Sequence, residues 1–246
     1  MMVEERQRRI LEELRKHPDI TVRELASILL VSEPTVRRDF TELHTKGFIT
    51  KHYGGAVLNV GAADREIPFI LREQEKSSVK SIMGAKAAEL VKDGMVVMLD
   101  GSTSAYHLVP YLARRKDIIV ITNGAKTAVA LAELGIRTFS TGGQMILRSF
   151  CYVGEQAESF ARSINADIFF FSCHGLSSTG KMTDRAIEEA NLRRVMYESC
   201  EKKILLCDSS KFGKTYFYNM GHLSEVDGMV TEGDIPPEYE KILRRD

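Results

Sequence analysis

Apolar residues recur at helical spacing through the first fifty positions and then give way to a different rhythm. Val3, Ile10, Leu11 and Leu14 stand among charges over residues 3–17, the stripe of a short amphipathic helix. His17-Pro18-Asp19 ends it, because proline has no N–H to continue the ladder. Thr21 caps a second helix whose stripe is Val22, Leu25, Ala26 and Leu29. Ser32 caps a third, with Pro34 in the first turn, where its missing N–H costs nothing. That helix runs to about Lys46, and Gly47 closes it. A short β pattern over 48–51, a Tyr53-Gly54-Gly55 turn and a second strand over 56–58 follow. Helices, a turn and a small hairpin make the winged helix-turn-helix plan.

Residues 59–75, with Gly61, Pro68 and mixed charge, show no periodic stripe and read as a linker. A helix is expected over 75–92. Continuous apolar runs then mark strands at 95–99, 118–121, 138–140, 168–171, 203–207 and 226–230. Helical patterns lie between most of them, at 104–114, 125–134, 155–163 and 185–199. That alternation predicts an α/β fold with a mostly parallel, Rossmann-like sheet covered on both faces. The domains are thus a winged helix-turn-helix over 1–58, a linker over 59–75 and a larger α/β sensor domain over 76–246. The tail, 236–246, reads as an amphipathic helix packing on the sheet.

Charge and composition narrow the classes. The 246 residues carry 34 basic and 34 acidic side chains. Residues 1–58 hold 10 Lys plus Arg against 9 Asp plus Glu, so no strongly basic domain is hidden in the total. Such a chain should bind random DNA weakly and lean on base contacts and oligomerisation. No apolar run approaches the roughly 18 residues of a membrane span, and residues 1–9 contain no apolar signal core, so a cytoplasmic protein without membrane partners is expected. Cys151, Cys173, Cys200 and Cys207 have neither metal-ligand nor disulfide-framework spacing and read as reduced core thiols. No metal or cofactor is expected.

On the third helix, Val36, Phe40 and Leu43 form the inward stripe, while Pro34, Arg37, Arg38, Thr41 and Thr45 lie opposite. Two adjacent arginines near the start of an exposed helix suit guanine edges and phosphates in a major groove. Ser32 and Thr35 can donate to phosphate at the helix N-terminus, and Lys51 and His52 on the hairpin to the flanking backbone. The competing reading is a solvated face whose arginines pair with Glu33, Asp39 and Glu42. The run Val31-Ser32-Glu33-Pro34-Thr35-Val36-Arg37-Arg38-Asp39-Phe40, followed by Leu43, Gly47 and Lys51-His52-Tyr53-Gly54-Gly55-Ala56, resembles the signature of the DeoR family of bacterial transcriptional regulators. The resemblance implies operator contacts by Ser32, Thr35, Arg37 and Arg38. Lys51 stands where an arginine is commoner.

In the second part, small polar residues follow five strands. They are Asp100-Gly101-Ser102-Thr103-Ser104, Thr122-Asn123-Gly124, Thr141-Gly142-Gly143, Cys173-His174-Gly175 and Asp208-Ser209-Ser210-Lys211. Ligands of open parallel sheets bind beyond the carboxyl ends of strands, so these should converge on one crevice. Free N–H groups and hydroxyls of the 100–104 turn, with Lys211, suit a phosphate. Asp100, Asp184 and Glu188 suit sugar hydroxyls. Arg193-Arg194 read as a solvated helix face.

This half resembles the DeoR-family sensor domain, similar in fold to ribose-5-phosphate isomerase. The resemblance rests on residues 100–104, Thr122-Asn123, Gly142-Gly143, Glu188-Glu189-Ala190 and 208–213. It implies a phosphorylated sugar or related effector that lowers operator affinity, and a homo-oligomer, dimer or tetramer, as partner of double-stranded operator DNA. Ser102 stands where the family usually has glycine. The alternative is an isomerase-like enzyme fused to a DNA-binding domain. Such chemistry needs a carboxylate base, yet Cys173-His174-Gly175-Leu176 replaces the isomerases' acidic Asp-Gly-Ala-Asp turn. Catalytic residues are therefore not expected, and His174 is read as a hydrogen-bonding or packing residue of the effector site. The expectation is a repressor of a carbohydrate operon.

Overall fold

The computed structural model describes residues 2–59 and 68–244. The chain divides into two units, Met1–Glu75 and Lys76–Asp246.

In the first unit, α1 (Val3–Lys16), α2 (Val22–Leu29) and α3 (Glu33–Thr45) precede a hairpin of β1 (Ile49–His52) and β2 (Gly55–Leu58). Local chemistry sets the boundaries. Thr21 and Glu24 form a reciprocal capping box at the start of α2. Ser32 caps α3 by accepting from the Thr35 N–H. Gly47, at φ +74°, takes the left-handed position after α3 that lets the chain turn into the hairpin. Ile10, Leu11, Leu14, Leu25, Leu29, Val36, Phe40, Leu43 and Ile49 are buried.

The linker expected over 59–75 is only partly one. Residues 60–67 lie outside the described residues, but Phe69–Gln74 form a short helix, α4, against α1. Phe69 and Leu71 are buried, and two apolar anchors in six residues are too few to show a period.

The second unit is built on a six-stranded, wholly parallel sheet in the order β13-β11-β8-β3-β4-β5. These strands are β3 (Val96–Leu99), β4 (Ile119–Thr122), β5 (Arg137–Ser140), β8 (Ala166–Phe171), β11 (Cys200–Leu206) and β13 (Gly228–Val230). The expected strands are all present, with ends shifted by a few residues. Around the sheet run α5 (Ser77–Ala88), α8 (Ala125–Glu133), α9 (Glu155–Arg162) and α10 (Ile187–Glu198). Phe169 and Phe171 point into one apolar layer and Phe170 into the other, as period-two alternation requires of a sheet covered on both faces.

Three elements differ from expectation. The helix over 104–114 is two, α6 (Thr103–Tyr106) and α7 (Val109–Leu112), because Pro110 cannot extend the α6 ladder. Antiparallel pieces absent from the pattern also appear. They are β6 (Gln144–Ile146) with β7 (Cys151–Val153), and a three-stranded sheet of β12 (Tyr218–His222), β10 (Lys181–Asp184) and β9 (Gly175–Leu176). The C-terminal helix α11 (Pro237–Arg244) packs on this smaller sheet rather than the parallel one. Tyr239 Oη donates to the Leu176 carbonyl and receives the Gly213 N–H, and Ile242 lies beside Gly180.

Candidate functional site

On α3, the buried residues Val36, Phe40 and Leu43 turn Pro34, Arg37, Arg38, Thr41 and Thr45 outward. The acids of the same helix mostly do not face the arginines. Asp39 is fully buried and takes two hydrogen bonds from Arg6 of α1, at 2.6 and 3.0 Å. Glu42 accepts from Gln7 of α1 at 2.5 Å. Only Glu33 meets Arg37, through an exposed contact at 3.3 Å. An exposed i,i+4 pair of this kind stabilises by about 0.2–0.5 kcal/mol and yields readily to a phosphate. Arg38 is exposed and has no hydrogen bond or ion pair among the described residues. The solvated-face reading thus fails for Asp39 and Glu42.

The hairpin is braced onto this face. Lys51 Nζ donates to Thr41 Oγ1 at 3.2 Å, and that hydroxyl donates to the Arg37 carbonyl at 2.9 Å. The hydroxyls of Ser32 and Thr35 bond each other at 2.9 Å at the helix start. His52 is exposed, its Nδ1 3.2 Å from the Tyr53 carbonyl. All eight residues expected to touch DNA therefore lie on α3, its cap or the hairpin. The one residue pair missed is Arg6 with Gln7; its signal was a basic and an amide side chain on α1 able to meet the acids of α3.

In the second unit, the adjacent parallel strands β11, β8, β3, β4 and β5 bring their carboxyl ends into one row. The ends are tied together. Asp100 accepts from the Ser172 N–H at 3.0 Å, Thr141 N–H donates to the Thr122 carbonyl at 3.1 Å, and Lys211 Nζ donates to Ser172 Oγ at 2.6 Å. Gly101 and Gly124 approach so closely that a Cβ on Gly101 would collide with Cys151 Sγ, which only glycine avoids. Thr103, Ser104 and Asn123 are buried, and Gly142 and Gly143 turn the β5 end at φ +63° and +101°. Asn123 Nδ2 donates to the Tyr152 carbonyl, while its Oδ1 is buried without a hydrogen bond. Ser102 accepts the Ala105 N–H at 3.1 Å, so its hydroxyl caps α6.

Beside these strand ends lies an ion network that the sequence reading missed. Arg193, read there as solvated, is 6% exposed. Its Nε donates to Asp100 at 2.8 Å and its Nη1 to Asp184 at 2.5 Å. Asp184 also accepts the Arg185 N–H at 2.6 Å and lies 2.7 Å from His174 Nδ1. Burial opposes the Asp184 charge, but Arg193 and His174 outweigh it and hold the carboxyl well below the usual carboxylate range. Burial likewise opposes the charge of Arg193, which Asp184, Asp100 and Glu189 keep protonated. Asp100 and Asp184, expected to hold sugar hydroxyls, are therefore committed first to Arg193. Glu188 is exposed on α10, and its neighbour Glu189 is the buried one. Lys211 lies 3.7 Å from Asp208, whose carboxyl also meets Lys76 at 3.5 Å. Against burial, Lys211, Ser210 and Lys76 keep that carboxyl below its ordinary value. Arg193 also lines a separate cavity of about 370 Å³ between α10 and β12, floored by Phe171, Met182 and Met220. No cluster of metal-ligating side chains is found among the described residues.

Comparisons with known proteins agree with both halves of this geometry. Residues 6–61 match the model of the DeoR-like helix-turn-helix domain, and residues 75–233 that of the DeoR C-terminal sensor domain. The chain is 33% identical over 244 residues to the HTH-type transcriptional regulator YulB of Bacillus subtilis, covering 99% of this chain and 94% of that one. It is 31% identical over 232 residues to the L-fucose operon activator of Escherichia coli, covering 92% and 94%. Among solved structures, ribose-5-phosphate isomerase A of Methanocaldococcus jannaschii aligns with 55% of this chain and 54% of its own, at TM-score 0.43 and 16% identity. An exposed arginine face on a helix-turn-helix, polar loops gathered at the carboxyl ends of a parallel sheet and two family models that together span most of the chain lead to one assignment: the protein belongs to the DeoR family of transcriptional regulators.

Proposed function

We propose that this regulator controls a carbohydrate operon, as the name of its Escherichia coli relative indicates for that protein. It acts as a repressor, displaced when a phosphorylated sugar enters the crevice. Arg37 and Arg38 read base edges while Ser32, Thr35, Thr41, Lys51 and His52 hold the phosphate backbone, with Pro34 fixing the helix start. The observation that carries this reading is the inward turn of Asp39 and Glu42, which leaves a cationic face on a nearly neutral unit.

In the crevice, the first turn of α6 has backbone N–H groups without intrahelical acceptors, and Lys211 adds a cation; together they suit the phosphate. Asn123, Gly142, Gly143, His174 and Glu188 border the remaining space for hydroxyls. Asp100 and Asp184 act by holding Arg193. A carboxylate so engaged is a poor proton acceptor, which supports binding without turnover and a regulator rather than an isomerase. The protein works in the cytoplasm as a dimer or tetramer, because one winged unit has limited affinity and two reach two half-sites. The functional domains are residues 1–58 and 76–246. The effector must prefer the state in which the two α3 helices no longer match those half-sites.

The test is a thermal-shift screen of sugar phosphates on the full chain, followed by gel shifts with duplexes selected from a random pool. A sugar phosphate that raises Tm and releases DNA without being consumed supports the reading. Conversion of the sugar phosphate would favour the isomerase.

A further inference from the structure

Two of the four cysteines lie just beyond the carboxyl ends of the adjacent strands β8 and β11. β8 and β11 pair in parallel with Phe170 opposite Ile204 and Phe171 opposite Leu205. Extending that register two positions past its last pair puts Cys173 opposite Cys207, just beyond the ends of β8 and β11. Both side chains enter the same apolar layer as Phe171 and Leu205, and Cys207 Sγ donates to the Asp208 carbonyl at 3.9 Å. Neighbouring strands lie about 4.7–4.9 Å apart, within the Cα separation of about 4.4–6.8 Å that a disulfide spans. Cys151 Sγ donates to the Gly101 and Ser149 carbonyls, and Cys200 Sγ to the Tyr197 carbonyl.

We propose that Cys173 and Cys207 are an oxidant-reactive pair that peroxide converts to a disulfide, a modification site within the sensor crevice. Cys173 is the attacking thiol. It keeps 4% exposure where Cys207 has none, so a small oxidant meets it first. The neighbouring Cys207 thiol and the Lys211 ammonium favour its thiolate against burial. Cys207 is held as the thiol, by the adjacent Cys173 and by burial. Cys200 is pushed up to about 12 by burial and is inert by comparison.

The steps balance. The Cys173 sulfur takes one oxygen of hydrogen peroxide as the O–O bond breaks, giving a sulfenic acid and, after protonation, water. The Cys207 sulfur then attacks the sulfenic sulfur. The S–S bond forms, the S–O bond breaks, and hydroxide leaves with the Cys207 proton as a second water. Two thiols and one peroxide become one disulfide and two waters.

The consequence for sensing follows from the neighbours. His174, bonded to Asp184, is next after Cys173; Asp208, bonded to Lys76 and Lys211, is next after Cys207. A Cys173–Cys207 bridge draws these two residues together and alters effector affinity. This last link rests on the sensor reading above, whereas the disulfide does not.

The experiment uses the full chain. Hydrogen peroxide is titrated in, residual thiols are counted under denaturing conditions, and unreduced peptides are mapped by mass spectrometry. Loss of two of four thiols, with one Cys173–Cys207 crosslinked peptide, is the expected result. Cys200→Ser should leave that peptide unchanged, and Cys207→Ser should abolish it and leave Cys173 as a sulfenic acid trappable by dimedone. Retention of all four thiols, or a bridge between other cysteines, overturns the proposal. Mapping the wild-type chain decides the matter even where a variant folds poorly. If the bridge forms but no sugar phosphate binds in either redox state, the sensor reading fails and the disulfide stands.

Discussion

The two functional surfaces handle charge in opposite ways. On α3 the carboxylates are turned inward onto α1, with Asp39 on Arg6 and Glu42 on Gln7, and the arginines are left in solvent. In the crevice the arginine is inside, and two carboxylates from distant parts of the chain close on it. An exposed cation keeps its hydration until a phosphate or base replaces it, so it serves recognition. A buried cation with two carboxylates fixes the positions of the loops that carry them, so it serves geometry. The difference also explains how a nearly neutral winged unit presents a basic face: its acids are not absent but spent on its own first helix.

The comparison breaks most visibly at Arg193. Arg193→Met leaves Asp100 and Asp184 buried without their cation and should cost roughly 3–5 kcal/mol, read as a fall in urea midpoint and Tm. A loss below about 1 kcal/mol would show that the network does not organise the crevice. Its pH dependence has a definite sign. A carboxyl held below its ordinary value stabilises the fold above the unfolded-state pKa, about 3.9, and loses that contribution as pH falls through the folded value. Denaturation curves should therefore weaken below about pH 4–5 in the wild type, and Arg193→Met should flatten this acid limb.

A smaller effect is expected at the inward pair of the winged unit. Arg6→Ala strands the buried Asp39 carboxylate and should cost about 1.5–3 kcal/mol. It also restores an unpaired acid to α3, so operator affinity should fall although Arg6 lies on α1 and not on the outward face of α3. Unchanged affinity would separate the pair from recognition. Smallest is Thr21→Ala, which removes the capping box of α2 and should cost about 1 kcal/mol of thermal stability with no change in effector binding.

The winged unit was legible in the sequence because its signals are local. Thr21 with Glu24, Ser32 with Pro34, and Gly47 each sit within a few residues of the boundary they set. The parallel strands were legible because a sheet buried on both faces needs continuous apolar runs such as Ile168-Phe169-Phe170-Phe171. The burial of Arg193 was not, since its partner Asp100 is 93 residues away and nothing on α10 distinguishes Arg193 from exposed Arg194. Nor were β9, β10 and β12, whose strands are short and whose pairing slips register between Met182 and Thr183. The cysteine pair stayed hidden for the same reason: residues 34 positions apart become neighbours only through strand register. Pro110 carries the signal for the break between α6 and α7, which the single helix expected over 104–114 passes over.

The central claim is that the outward arginines of α3 read DNA while the crevice acts separately. It is tested most directly by fluorescence anisotropy of Arg38→Ala against wild type on a selected operator duplex, at two salt concentrations. Operator affinity should fall about tenfold or more, and the thermal shift caused by the effector should not change. Equal operator affinity in the two proteins would contradict the account.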